Sequence, residues 1–182
     1  HGDQPGHAHI AAAAYAAVQG FPYKRVIVCA PSHHERFRYA SVFSGRAYET
    51  PLGEVAVDTD FCDRLCTRCR VAMRGDLAHW PSREYALEVQ LPFLQFTVGD
   101  FKLVPIVFGD LDEAAVQSLG GALATLIRES PGDSLLVVTS DLSHFHREAA
   151  ARRMDARTLE AARTGQVHDF LEGIRIGDYE AC

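Results

Sequence analysis

Lysine is nearly missing from this chain of 182 residues: there are two, against sixteen arginines. We attribute that bias to a GC-rich genome. With a formal charge of -6 and no basic stripe, the composition argues against nucleic-acid binding. Nor does any run approach the ~20 apolar residues of a membrane span, and no secretory leader with a charged start and apolar core is visible. A glycine-rich phosphate loop, a GxSxG elbow, an HExxH pair and a doubled CxxC are all lacking. Nucleotide, serine-hydrolase and zinc-finger readings therefore lose their first support. Cysteines number five, an odd count that favours reduced thiols and a cytoplasmic location. The sequence opens on His1 rather than Met and closes on Cys182, so it reads as one domain, residues 1–182, cut from a longer protein at both ends.

What is present is an alternation of buried-strand and helix patterns. Arg25 to Cys29 is a β-branched run, Lys102 to Phe108 a second, and Ser134 to Ser140 a third buried strand. Ala8 to Gln19, Asp112 to Glu129, Arg147 to Ala162 and Gln166 to Gly173 carry helical patterns. Leu119, Leu123 and Leu126 form the inward stripe of the second of these. Ala40 to Ala47 and Gly53 to Asp58 read as short strands about the turn Thr50-Pro51-Leu52-Gly53. Asp58 or Thr59 caps a helix reaching Met73, and a helix opening at Ser82 breaks near Pro92. The expected fold class is α/β, a layered domain with a mostly parallel central sheet flanked by helices.

Chemistry gathers at two strand ends. Ser32-His33-His34 follows the first strand, and Asp141-Leu142-Ser143-His144-Phe145-His146 follows the third. Open α/β sheets bind ligands outside the carboxyl ends of their strands. Imidazole and carboxylate there bind a transition metal or move protons. His33 and His34 are adjacent, so one of the two faces a shared site. Asp141 and His144, three apart, meet on one turn, although Asp141 also suits a plain helix cap. Cys62, Cys66 and Cys69 fall on one helix face, where small side chains fill a contact as readily as they bind zinc. The histidines of the opening segment, His1, His7 and His9, precede the first helix, and Trp80 stands in a loop.

In order, the chain holds Pro31-Ser32-His33-His34, Tyr48-Glu49-Thr50-Pro51-Leu52-Gly53, Glu84-x-x-Leu87-Glu88-x-Gln90-Leu91-Pro92, Val104-Pro105-Ile106 and Ser140-Asp141-x-x-His144. This ordered set resembles the Memo family, whose bacterial and archaeal members are called AmmeMemoRadiSam system protein B. The resemblance implies a LigB-like fold, that of class III extradiol dioxygenases, and one iron or copper ion per chain. It also implies metal ligands at His1, His33, His144 and Cys182, with Asp141 beside them as pocket acid or orienter. His144 and Asp141 are then the candidate catalytic pair. The family's Glu-His-Ser is Glu84-Tyr85-Ala86 here, and its first loop is Gln4-Pro5-Gly6-His7-Ala8.

A redox-active metal pocket is the first functional expectation, with radical SAM and AMMECR1-like proteins as the implied partners. Cysteine in place of a carboxylate ligand favours copper(I) or a redox role over ring cleavage. Two alternatives stand beside it. One is a non-haem Fe(II) extradiol-type dioxygenase acting on a catechol-like ring. The other is a metal-free module binding a peptide or small ligand.

Overall fold

A computed structural model of the chain describes residues 5–79, 82, 84–165, 167–177 and 180. Compact packing divides the chain into two units, residues 1–139 and 140–182. In the first, β1 (Arg25–Pro31), β2 (Ala40–Phe43), β5 (Ala72–Gly75), β6 (Lys102–Phe108) and β7 (Ser134–Val138) form a sheet in the order β5-β2-β6-β1-β7. β6 is the middle strand, and β1 beside it runs parallel to β6 and to β7, with Arg25 opposite both Lys102 and Ser134. β2 runs antiparallel to β6 and parallel to β5, so three of the four pairings are parallel. The fold is therefore the expected α/β class.

The β-branched content explains why β1 and β6 occupy the centre. Val26, Ile27, Val28, Leu103, Val104 and Ile106 have no measurable exposure. Truncating any of the large ones to alanine costs about 2–5 kcal/mol. At the foot of the sheet Asp58 does two jobs. Its carboxylate accepts the Phe61 amide at 3.1 Å to cap α2 (Thr59–Arg68), and it pairs with Arg25 Nε at 2.7 Å. The Arg25 guanidinium also lies 4.6 Å from the Phe61 ring centroid. α2 packs against α4 (Glu113–Arg128), and α1 (Pro5–Ala16) against α3 (Leu91–Thr97). A separate hairpin, β3 (Ala47–Thr50) and β4 (Gly53–Ala56), turns through Pro51-Leu52, and Gly53 closes it at φ +114°.

Several boundaries differ from expectation for identifiable reasons. The α2 helix stops at Arg68 instead of reaching Met73, because Ala72 and Met73 enter β5 beside β2. Pro92 opens α3 where a break was expected, since a proline in the first turn loses no helical hydrogen bond. The first helix starts at Pro5, three residues early. β7 ends at Val138 and, among the described residues, pairs on one side only, leaving Leu136 45 % and Val138 64 % exposed. It is an edge strand and not the buried one expected.

The second unit contains α5 (Glu148–Thr164) and α6 (Val167–Arg175), packed on one another. Gly165 ends α5 in the left-handed conformation at φ +67°. Among the described residues no helix is long and apolar enough to cross a membrane.

Candidate functional site

His33 stands two residues beyond β1, on a loop held at both ends. The Ser32 amide donates to the Phe108 carbonyl at 2.9 Å, extending the β1–β6 ladder by a residue. The Ser32 hydroxyl donates to the Glu35 carbonyl (2.8 Å) and accepts from the Glu35 amide (3.2 Å), closing a tight turn around His33 and His34. Further along the loop, the Phe37 carbonyl accepts the Asp110 amide at 2.8 Å. A β-carbon on Gly109 would sit 2.1 Å from that same Phe37 oxygen, so glycine is what lets the loop lie against the end of β6.

The partner of His33 is Glu84, fifty-one residues away. Its side chain is fully buried, and its carboxylate accepts the His33 amide (2.5 Å), the Tyr85 amide (3.0 Å) and the Ala86 amide (2.9 Å). Burial alone would raise the Glu84 carboxyl, but these amides and the His33 ring outweigh it and hold it below the usual carboxylate range. Both carboxylate oxygens also face His33 Nδ1, at 3.1 and 3.2 Å. An ionised carboxylate only accepts, so Nδ1 carries a proton directed at Glu84. The Tyr85 ring lies nearly parallel to the His33 ring, with 6.1 Å between centroids, where the family pattern has histidine. His34 is exposed and tilted against the same tyrosine.

In the second unit, His144 Nε2 lies 3.2 Å from Asp141 Oδ2, so the three-residue spacing brings the two together as expected. Asp141 does not cap a helix, since α5 begins only at Glu148. Glu180 accepts the His144 amide at 2.9 Å and contacts His146 Nε2 at 2.6 Å, and these contacts lower its pKa. Between the two histidines Phe145 takes φ +60°, uncommon for an aromatic side chain, and is fully exposed.

The donor set can be tested for fit to a metal. His33 fits, because an imidazole whose Nδ1–H is fixed by a buried carboxylate presents Nε2 in a set direction. His144 fits after one exchange: its nitrogens face Asp141 and, at 3.9 Å, Glu180, and one carboxylate must be given up. His1 and Cys182 lie outside the described residues. Among the described residues no three histidine, cysteine or acidic side chains converge as a metal cluster. That includes Cys62, Cys66 and Cys69, of which the first and third are buried. Burial pushes Cys62 up to about 12 and Cys66 to about 11, as thiols filling a helix contact.

Two buried polar groups escape sequence reasoning. Gln90 accepts the Tyr15 hydroxyl at 2.7 Å and donates to the Ala86 carbonyl (3.0 Å) and Thr139 Oγ1 (3.2 Å), tying the Glu84 segment to the end of β7. His79, 1 % exposed, donates from Nε2 to the Ser41 carbonyl at 2.9 Å. Its Nδ1 therefore accepts the Tyr48 hydroxyl, at 2.6 Å. His79 adjoins Trp80, which itself lies outside the described residues, and is buried together with Ala78. The ordered Tyr48 and Glu88-x-Gln90 motifs are the only sequence hint of either group.

The chain is thus an α/β protein in which imidazoles paired with carboxylates follow two strands of the sheet, the place where open α/β sheets bind ligands. The family model described as "Memo-like protein" matches residues 1–182, and the chain belongs to that family. It is 35 % identical over 158 residues to a MEMO1 family protein of Methanobrevibacter smithii, covering 87 % of this chain and 55 % of the relative. A MEMO1 family protein of Thermotoga petrophila is 34 % identical over 157 residues, 86 % and 56 % of the two chains. One from Thermotoga maritima is 35 % identical over 136 residues, 75 % and 48 %. The chain thus spans about half the length of the curated relatives it matches.

Proposed function

We propose that the chain belongs to a metal-binding Memo protein of the cytoplasm, with one iron or copper ion held by His33 together with the ligands the resemblance assigns, His1, His144 and Cys182. The supporting observation is the His33–Glu84 pair, a buried carboxylate fixing an imidazole in one tautomer at the end of a central strand. A metal bound there would supply one-electron redox chemistry. Glu84 keeps a proton on Nδ1, which leaves Nε2 as the nitrogen that would meet the metal. Tyr85 limits rotation of the ring by lying parallel to it. In the second unit Asp141 would orient His144 by accepting a hydrogen bond from its Nε2–H, or serve as the pocket acid. Association with radical SAM and AMMECR1-like partners, and descent from the LigB-like dioxygenase fold, belong to the same proposal.

The test is metal content and Fe(II) and Cu(I) binding on the full-length protein purified without oxygen. Near one metal per chain is expected, lost in His33→Ala and in Cys182→Ser. In Glu84→Gln affinity falls about 10–100-fold, the usual effect of removing an outer-shell partner. Equal binding by His33→Ala and wild type would overturn the assignment.

A further inference from the structure

A pocket of about 550 Å³ lies in the first unit, between the β3–β4 hairpin, Phe43 at the end of β2 and Glu88. Its size is that of a small-molecule site. Phe43, Tyr48 and Pro51 give it apolar and aromatic walls, with the Phe43 and Tyr48 rings 4.8 Å apart at 60°. Glu49, Glu54 and Glu88 complete it, and among the described residues neither lysine, arginine nor histidine lines it. Among the described residues none of these three carboxylates has an ion-pair partner.

The remaining polar side chains of the wall have committed their protons. Since His79 Nε2 donates to Ser41, the Tyr48 hydroxyl must donate to His79 Nδ1, and only its lone pairs remain to be used. The single Thr50 proton is shared between the Gly53 carbonyl and Gln95 Oε1, at 3.0 and 2.6 Å. Every polar side chain among the described lining residues is therefore an acceptor. A ligand that donates hydrogen bonds and carries positive charge suits such a wall, and aromatic faces attract cations as well. The carboxylates are spread around the cavity and do not converge on a point that would hold a metal ion. The complementary cation is accordingly large, with an apolar body.

We propose that this pocket binds a small organic cation, an ammonium or guanidinium group on an apolar body. The site is separate from His33 and independent of the metal reading. Isothermal titration of the full chain with phenethylamine, agmatine and spermidine, beside neutral 2-phenylethanol and Mg²⁺, tests it. Saturable one-to-one binding of at least one amine is expected, with 2-phenylethanol at least tenfold weaker. The double variant Glu54→Gln/Glu88→Gln should weaken the amine at least tenfold with an unchanged melting curve, and His33→Ala should leave it unaltered. No binding by any amine, equal binding of phenethylamine and 2-phenylethanol, or stoichiometric displacement by Mg²⁺ would overturn the proposal. Should the double variant fail to fold, the amine and alcohol comparison on the wild type decides.

Discussion

His79 shows how one buried side chain can govern the response of the protein to acid. Burial pushes its pKa down to about 4, below the ordinary 6.5, so the native state holds it neutral while the unfolded chain takes up a proton. Stability from this group is complete above pH 6.5 and is lost as pH falls towards 4. With 1.36 kcal/mol per unit, the loss reaches about 2 kcal/mol by pH 5 and about 3 kcal/mol by pH 4. Urea midpoints measured from pH 8 to pH 5 should therefore fall, and His79→Gln should flatten that slope. Glutamine can still donate to Ser41 and accept from Tyr48, but it does not titrate. Ala78, immediately before it, is buried at φ +59°, so a β-branched residue there would be strained.

Among the elements, the contact between the His33 loop and the end of β6 is the least forgiving. Gly109→Ala would drive a methyl group into the Phe37 carbonyl, backbone against backbone, which a rotamer change cannot relieve. A destabilisation of about 2 kcal/mol or more is expected, seen as a fall in melting temperature of roughly 4–8 °C. Metal affinity should drop with it, because the same loop carries His33. The sequence announces β6 at both its bounds and α4 through its Asp112 cap and leucine stripe, for in both local pattern and tertiary packing agree. β5 escapes notice because its four residues follow a helical pattern without a break, and only pairing with β2 makes them a strand. Candidate site residues divide in the same way. His33, Asp141 and His144 are legible because each follows a strand signal. Glu84 is not, since its partner is fifty-one residues distant and nothing local marks a carboxylate as buried.

For the whole molecule, the distribution of the core carries the main consequence. Among the described residues the buried cluster runs from Tyr15 to Leu126, with Leu135 and Val137 packed against it, all of them in the first unit. Among the described residues, every strand of the sheet, α1 to α4 and the lining of the proposed cation pocket fall within residues 1–139. A chain ending at Thr139 is therefore expected to give a cooperative thermal transition and a mixed α/β circular dichroism spectrum. A non-cooperative melt of that fragment would show that residues 140–182 supply stability that the core does not.

The placement of His33 two residues past a central strand also has a kinetic meaning. Two residues reach at most about 7 Å, and the Ser32 turn shortens even that. The His33 loop itself does not have to become ordered before this imidazole meets its ligand. In stopped-flow mixing under anaerobic conditions, the observed rate of metal capture at His33 should rise in proportion to metal concentration without levelling off. A plateau would reveal a slow closing step that the anchored loop does not require.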